Sequence, residues 1–127
     1  MEKEREMHVL VVDDDAMAAA IVAMVLEDAG YEVSVVESGD EALPLVAENP
    51  HFDLVVSDQN MPGIDGIELF KQLRTNGFES PFILLSGDDP EKLRKKAPDI
   101  SCFLAKDDVL ADIIADTVTQ LLASVRG

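Results

Sequence analysis

The chain has 127 residues, the length of one domain, and 47% of them are apolar, enough to bury a core without disulfide or metal staples. Ten Lys and Arg stand against 26 Asp and Glu, a formal net charge of −16. This charge repels phosphate backbones and anionic lipid, so neither nucleic acid nor membrane is an expected partner; it suits cations and basic protein surfaces. No apolar run reaches the roughly 18 residues of a membrane span, and residues 1–7 alternate in charge with no apolar signal region. The single cysteine, Cys102, forbids an internal disulfide and fits a reducing compartment, so a cytoplasmic location is expected, with residues 1–6 as a flexible lead-in.

His8–Val12 is a short apolar run that stops at Asp13-Asp14-Asp15, a strand and its end. Residues 16–29 place Met17, Ile21, Met24, Val25 and Asp28 on one face at mostly three- and four-residue steps, with alanines between them. This predicts a helix packed closely on a sheet, closed by Gly30. Tyr31–Val36 reads as a second strand. Ser38 and Glu41 have capping-box spacing for a helix reaching about Glu48, with Pro44 inside it as a kink or shortening point. Asp53–Ser57 is a third strand, followed by Asp58 and the turn Met61-Pro62-Gly63. A helix from about Asp65 runs to Asn76-Gly77, and Pro81–Leu85 is a fourth strand ending at Ser86-Gly87. Asp89-Pro90 starts a short charged helix over Glu91–Ala97. Ser101–Ala105 is a fifth strand ending at Lys106, and Val109, Leu110, Ile113, Ile114, Val118, Leu121, Leu122 and Val125 form the stripe of a last helix. Five strands alternating with five helices call for a parallel α/β sheet covered on both faces, and residues 1–127 are read as a single domain.

In a parallel sheet the strand ends share one edge, where open α/β sheets bind ligands. That edge receives Asp13 and Asp14 from the first strand, Asp58 from the third, Ser86 from the fourth and Lys106 from the fifth. Three carboxylates repel one another unless a cation joins them, and hard oxygen ligands suit Mg²⁺. Lys106 supplies a point charge for a phosphoryl oxygen and Ser86 a hydroxyl donor. Together they make an electrostatic cradle for phosphoryl transfer with a carboxylate as acceptor.

The order Asp13-Asp14, Asp58, Ser86, Lys106, with the stretch Asp58-Gln-Asn60-Met61-Pro62-Gly63-Ile-Asp65-Gly66, resembles the receiver domain of bacterial two-component response regulators, over about residues 7–125. The resemblance implies a flavodoxin-like (βα)5 doubly wound sheet of five parallel strands in the order 2-1-3-4-5. It implies that Asp58 accepts a phosphoryl group from a sensor histidine kinase or phosphotransfer protein. It further implies that Asp14, Asp58 and the backbone carbonyl of Asn60 ligate Mg²⁺, and that Asp13 acts largely through metal-bound water. Lys106 then pairs with the acid cluster and with the phosphoryl oxygens. Ser86 shifts toward the phosphoryl group while Phe103 turns inward as the switch aromatic. A downstream effector reads the face of the fourth helix, fifth strand and fifth helix. The chain is on this reading a signalling phosphoacceptor and not an enzyme.

Three positions depart from the family's pattern. Lys106 is followed by Asp107 where the family usually has a cis proline, which leaves the geometry of that peptide open. Ser86 is followed by Gly87 where Ala is frequent, and Phe103 lacks a tyrosine's hydroxyl. Two other functions are carried as alternatives. One is a degenerate receiver that binds partners without phosphorylation. The other is a haloacid-dehalogenase-like phosphohydrolase with Asp13 as nucleophile and Asp15 as acid, against which stand Met17 in place of Thr or Val and the absence of a cap domain.

Bland roles are expected elsewhere: Asp15 and Asp65 as helix caps, Cys102 as apolar filler, His8 and His51 as surface or strand-start residues. Asn60 and Asp88, two positions past Asp58 and Ser86, could face an attacking water. Lys92, Arg94, Lys95 and Lys96 cluster in an otherwise acidic chain. They read either as a solvated helix face with a Glu91–Lys95 pair or as a docking patch for an acidic partner.

Overall fold

In the computed structural model, which describes residues 6–126, the elements are β1 (His8–Val12), α1 (Ala16–Asp28), β2 (Glu32–Val36), α2 (Gly39–Glu48), β3 (Leu54–Asp58), α3 (Gly66–Thr75), β4 (Phe82–Ser86), α4 (Pro90–Lys96), β5 (Cys102–Ala105) and α5 (Leu110–Arg126). The lead-in read at residues 1–6 lies, apart from Glu6, outside the described residues. All four strand pairings are parallel, in one sheet of order β2-β1-β3-β4-β5. The fold class and strand order match the expectation.

Alternation along the strands divides the core into two layers. Leu10, Val12, Val55, Phe82, Leu84 and Phe103 point to one face, where Val46 of α2, Leu69 and Leu73 of α3 and Leu93 of α4 cover them. Val9, Val11, Leu54, Val56, Ile83 and Leu85 point to the other, under α1 and α5. The three inner strands β1, β3 and β4 are apolar on both faces because both faces are covered.

Helix starts follow the capping residues. Asp15 accepts from the N–H groups of Met17 and Ala18, Asp65 from Glu68, and Asp89 from Glu91. Ser38 accepts from Glu41, while the Glu41 carboxylate reaches back to the N–H of Glu37, one residue earlier than the ideal box. Pro44 does not end α2, which runs on to Glu48.

The buried face of α1 differs from the one expected. Ala19, Val22 and Leu26 meet the sheet, whereas Met17 is 75% and Met24 62% exposed, with Ile21 and Asp28 also on the outside. Nearly every face of this helix carries apolar residues, so periodicity alone could not select one. The sheet selects the face with small Ala19, which lets the backbone approach closely, and with Val22 and Leu26 to fill the gap. On α5 the buried line is Leu110, Ile114, Val118 and Leu122, and the predicted stripe members Val109 and Ile113 are exposed. The Val125 side chain of that stripe lies outside the described ones.

Truncating the fully buried Leu26 to Ala is expected to cost about 2–5 kcal/mol in urea denaturation, while Met24→Ala stays within about 0.5 kcal/mol of the parent. Equal losses at the two positions would contradict this orientation of α1.

Candidate functional site

The parallel sheet brings the C-terminal ends of β1, β3, β4 and β5 to one edge, and register fixes what stands there. Val12 pairs with Ser57 and Ser86 with Ala105, so Asp13, Asp58, Ser86 and Lys106 fall at or one residue past adjoining strand ends. Asp13, Asp58 and Ser86 are buried, and Asp14 is exposed.

Lys106 joins the cluster. Its Nζ donates to Asp13 Oδ2 at 2.9 Å and lies 3.1 Å from Asp58 Oδ2. The second oxygen of Asp13, Oδ1, accepts from the Asp15 N–H at 2.9 Å, which holds the loop after β1 over the site. Burial pushes the Asp58 carboxyl above its ordinary range, and the Asp13 charge adds to the rise; the Lys106 hydrogen bond and charge and the backbone N–H of Asn60 pull it back without cancelling it. Burial pulls the Lys106 ammonium down, but its bonds to Asp13 and Asp58 outweigh this and its pKa ends above the ordinary lysine value.

Carboxylate oxygens of Asp13, Asp14 and Asp58 all lie within 4.8 Å of one another. Three carboxylates against one ammonium leave an excess of negative charge, and the donors are all hard oxygens, so the residues fit a divalent cation such as Mg²⁺. Asn60 stands in the loop after β3, where its backbone N–H donates to Asp58.

Ser86 Oγ accepts from the Asp88 N–H at 2.9 Å, and the Ser86 carbonyl accepts from the Lys106 N–H at 2.9 Å. Phe103 is buried on the α4 side of the sheet, with the Arg94 guanidinium 4.9 Å from its ring centroid. Among the described residues no peptide bond is cis, so the Lys106-Asp107 bond is trans and Lys106 still reaches both carboxylates. Asp107 has a local use: its Oδ1 accepts from the Val109 N–H at 3.1 Å and its carbonyl from Leu110, which starts α5. Asp15 Oδ1 accepts from Met17 and Ala18 as the α1 cap, the role expected for it from the sequence.

Two positions that sequence reasoning passed over shape the site. The buried side chain of Gln59 accepts from the Ile67 N–H at 2.9 Å, and its carbonyl accepts from Gly66 at 3.0 Å, which folds the loop back against β3. A Cβ on Gly66 would stand 2.5 Å from Leu84 Cδ1 and 2.6 Å from the Asp58 carbonyl. From the sequence, Gln59 and Gly66 stood only as members of the Asp58–Gly66 stretch, with no role of their own. Gly63, at φ 80°, takes the left-handed turn conformation that the Met61-Pro62-Gly63 turn needs. At Gly87 a Cβ would meet nothing within 4 Å, so that departure is not forced by crowding.

A family model described as "Response regulator receiver domain" matches residues 9–116. The chain is 36% identical over 128 residues to the sensory/regulatory protein RpfC of Xanthomonas campestris pv. campestris (strain 8004), covering 96% of this chain and 17% of that protein. Among solved structures, the chemotaxis response regulator CheY4 of Vibrio cholerae superposes with a TM-score of 0.82 at 32% identity, covering 92% of this chain and 99% of that one. The response regulator TrrA of Thermotoga maritima, solved in complex with Mg(2+)-BeF, superposes with a TM-score of 0.81 at 28% identity, covering 91% and 98%.

The buried carboxyl and the crowded glycine each predict a change in stability. Below the ordinary carboxyl value of 3.8 Asp58 is protonated folded or unfolded and has no effect on stability. Above that value the unfolded chain ionises first, so the buried carboxyl withdraws stability as pH rises through its elevated folded value. In EDTA at pH 7, Asp58→Asn is therefore expected to raise Tm by about 2–5 °C, a gain that narrows as pH falls toward 4; a gain independent of pH would contradict the assignment. Gly66→Ala is expected to lower stability by about 1–3 kcal/mol, and an unchanged urea midpoint would show that the loop can give way.

Proposed function

The chain belongs to the response regulator receiver domain family, and on that premise we propose that Asp58 is the phosphoacceptor of a two-component signalling switch, within a single receiver unit spanning residues 1–127. The observation that carries the reading is the Lys106 ammonium held between Asp13 and Asp58 at the sheet edge. A phosphoryl group arriving at Asp58 finds a cation already in place for its oxygens.

An Asp58 carboxylate oxygen attacks the phosphorus of a phosphohistidine; the P–O bond forms, the P–N bond breaks, and the imidazole leaves with the electron pair. Burial makes the Asp58 carboxylate harder to form, and Lys106 offsets this. Asp14 and Asp58 directly, Asp13 through water and the Asn60 carbonyl would hold Mg²⁺, which when bound neutralises the phosphoryl oxygens and the carboxylates. The Mg(2+)-BeF complex of TrrA supports that choice of ion. Ser86 Oγ uses a lone pair on the Asp88 N–H, so its hydroxyl hydrogen is available to the phosphoryl group. Phe103, one strand layer away, follows Ser86 as the switch aromatic. In hydrolysis, water attacks phosphorus and Asp58 leaves; Asn60 and Asp88 flank that approach.

The phosphodonor is a sensor histidine kinase or phosphotransfer protein, and its landing surface is apolar. Met17, Ile21 and Met24 of α1 and Val109 and Ile113 of α5 are exposed. A groove of about 270 Å³ between these helices is lined by Ile21, Leu85 and Leu110 and runs into Asp13 and Lys106. An exposed apolar surface continuous with the site suits a helix that must bring its histidine to Asp58. Output passes to an effector protein at the face of α4, β5 and α5. The negative charge of the chain disfavours nucleic acid and membrane as direct partners, and no described helix is long and apolar enough to cross a membrane.

With acetyl phosphate and Mg²⁺ the chain is expected to take up one phosphoryl group. Labelling is abolished in Asp58→Asn and by EDTA, and falls at least about tenfold in Lys106→Ala. Ile21→Glu leaves labelling by acetyl phosphate unchanged while slowing transfer from a phosphohistidine kinase about tenfold or more. Full labelling of Asp58→Asn would overturn the reading.

A further inference from the structure

We infer that the groove between α3 and α4 is a binding site for a small zwitterion of the apolar α-amino acid class, its carboxylate held by the Gln59 side-chain amide together with Lys71 and Lys96. The inference does not depend on the phosphoacceptor reading of Asp58.

The groove has a volume of about 600 Å³, ample for a molecule of this size. Its walls are the loop after β3, the first part of α3 and the last residue of α4. Asp13, Asp58, Ser86 and Lys106 are not among them, so the groove is separate from the carboxylate edge.

Gln59 is the buried polar part of this wall. Its side chain lines the groove although the residue is only 8% exposed. Oε1 accepts from the Ile67 N–H at 2.9 Å, and that donor fixes which end of the amide is oxygen. Nε2 then carries two N–H donors, and among the described residues it has no hydrogen-bond partner. No buried side-chain N or O among the described residues is left unpaired. Nε2 is therefore not sealed in the core and opens onto the groove. An amide donor largely withdrawn from water and left open calls for an acceptor.

The charges around it are balanced and uncommitted. Lys71 on α3 and Lys96 on α4 reach the same groove from different helices. Among the described residues neither has a carboxylate within ion-pair distance. On α4 the expected Glu91–Lys95 pair gives way to a loose Glu91–Arg94 contact at 3.7 Å, which also leaves Lys96 uninvolved. Asp65 and Glu68 line the groove as well, and each spends one oxygen. Asp65 Oδ1 accepts from the Glu68 N–H at 2.8 Å, and Glu68 Oε2 accepts from Gln72 Nε2 at 3.1 Å. Their other oxygens make no hydrogen bond among the described residues.

Two ammonium groups and two carboxylates give a lining with no net charge. A dianion drawn by the lysines would meet repulsion from the acids, and a simple amine would leave the Gln59 donor unused. A zwitterion answers both signs: its carboxylate accepts from Gln59 Nε2 and the lysines, and its ammonium donates to the open oxygens of Asp65 and Glu68. Ile64 and Ile67 add an apolar wall, which suits an aliphatic side chain.

The test is a ¹H–¹⁵N NMR titration of the full chain with L-leucine in EDTA, which keeps metal from drawing carboxylates to the Asp58 edge. The side-chain NH₂ signals of Gln59 are read directly. Saturable shifts are expected there and on the groove walls, with a dissociation constant of about 1 mM. Isoamylamine, which lacks the carboxylate, binds at least about tenfold more weakly, and isocaproate, which lacks the ammonium, about threefold. Combining Lys71→Ala with Lys96→Ala, both at exposed positions, weakens L-leucine about fivefold. Gln59→Glu keeps an acceptor for Ile67 but replaces the donor with a like charge, and lowers affinity at least about tenfold. Glu68→Gln weakens L-leucine about threefold and leaves isocaproate unchanged. The site is overturned by the absence of saturable shifts at the Gln59 amide, by shifts centred elsewhere, by unchanged binding in the double lysine variant, or by isoamylamine binding as well as L-leucine. Equal binding of isocaproate, or no effect of Glu68→Gln on L-leucine, overturns the zwitterion as ligand.

Discussion

The structure depends on one partly buried cation, Lys106. Asp13 and Asp58 end neighbouring parallel strands, and both are removed from water. Left to themselves, two buried carboxylates would drive protons onto one another. Lys106 answers them from the far side of β4, contacting one oxygen of each. Desolvating this trio is costly, and a buried ion pair seldom repays that cost in stability. The arrangement is better understood as preorganisation: the charge needed by an incoming anion is held in place before it arrives.

Everything around the trio keeps its members at that separation. The register between β4 and β5 sets Lys106 one residue beyond the Ser86–Ala105 pair. The Asp13 carboxylate is pinned from the other side by the Asp15 amide. Gly66 and Gln59 press the loop after β3 against the end of that strand. Asp107 begins α5 by capping it through a trans peptide. A proline at that place is therefore not required for Lys106 to reach its partners. An aspartate that closes the loop by hydrogen bonding to its own next turn places the lysine as well.

The strands were legible because each is a short valine- or leucine-rich run bounded by turn residues. The site was legible because the last polar residue of each run lands on the same edge. The strand order came from resemblance to a family and not from periodicity. What the residues did not disclose was orientation. Met17, Ile21 and Met24 have helical spacing as good as that of Ala19, Val22 and Leu26, and only the shape of the sheet decides between them. The same holds for Val109 and Ile113 beside Leu110 and Ile114. Glu91 had two basic residues within reach, Arg94 and Lys95, and spacing rules do not weigh the ring of Phe103, on which Arg94 packs. Gln59 was silent because a buried amide serving a helix start is a tertiary fact with no local pattern.

The two departures from simple amphipathicity are informative together. A helix that turns methionines outward and alanine inward loses hydrophobic burial it could have had. A helix that gathers unpaired lysines in an acidic chain forgoes ion pairs it could have made. Both sit next to the carboxylate edge, on opposite faces of the sheet: the apolar stripe over α1 and α5, the cationic strip on α4. The sheet between them is packed on both faces, with Ser86 closing β4 and Lys106 following β5. On the proposed reading of Asp58, the apolar surface over α1 and α5 is the one that suits a partner delivering a group to it. A fold optimised only for its own stability would have had reason to exchange these residues for inward-facing leucine and paired charge; that it has not done so at two places flanking one site is the physical argument for a switch with separate entry and exit.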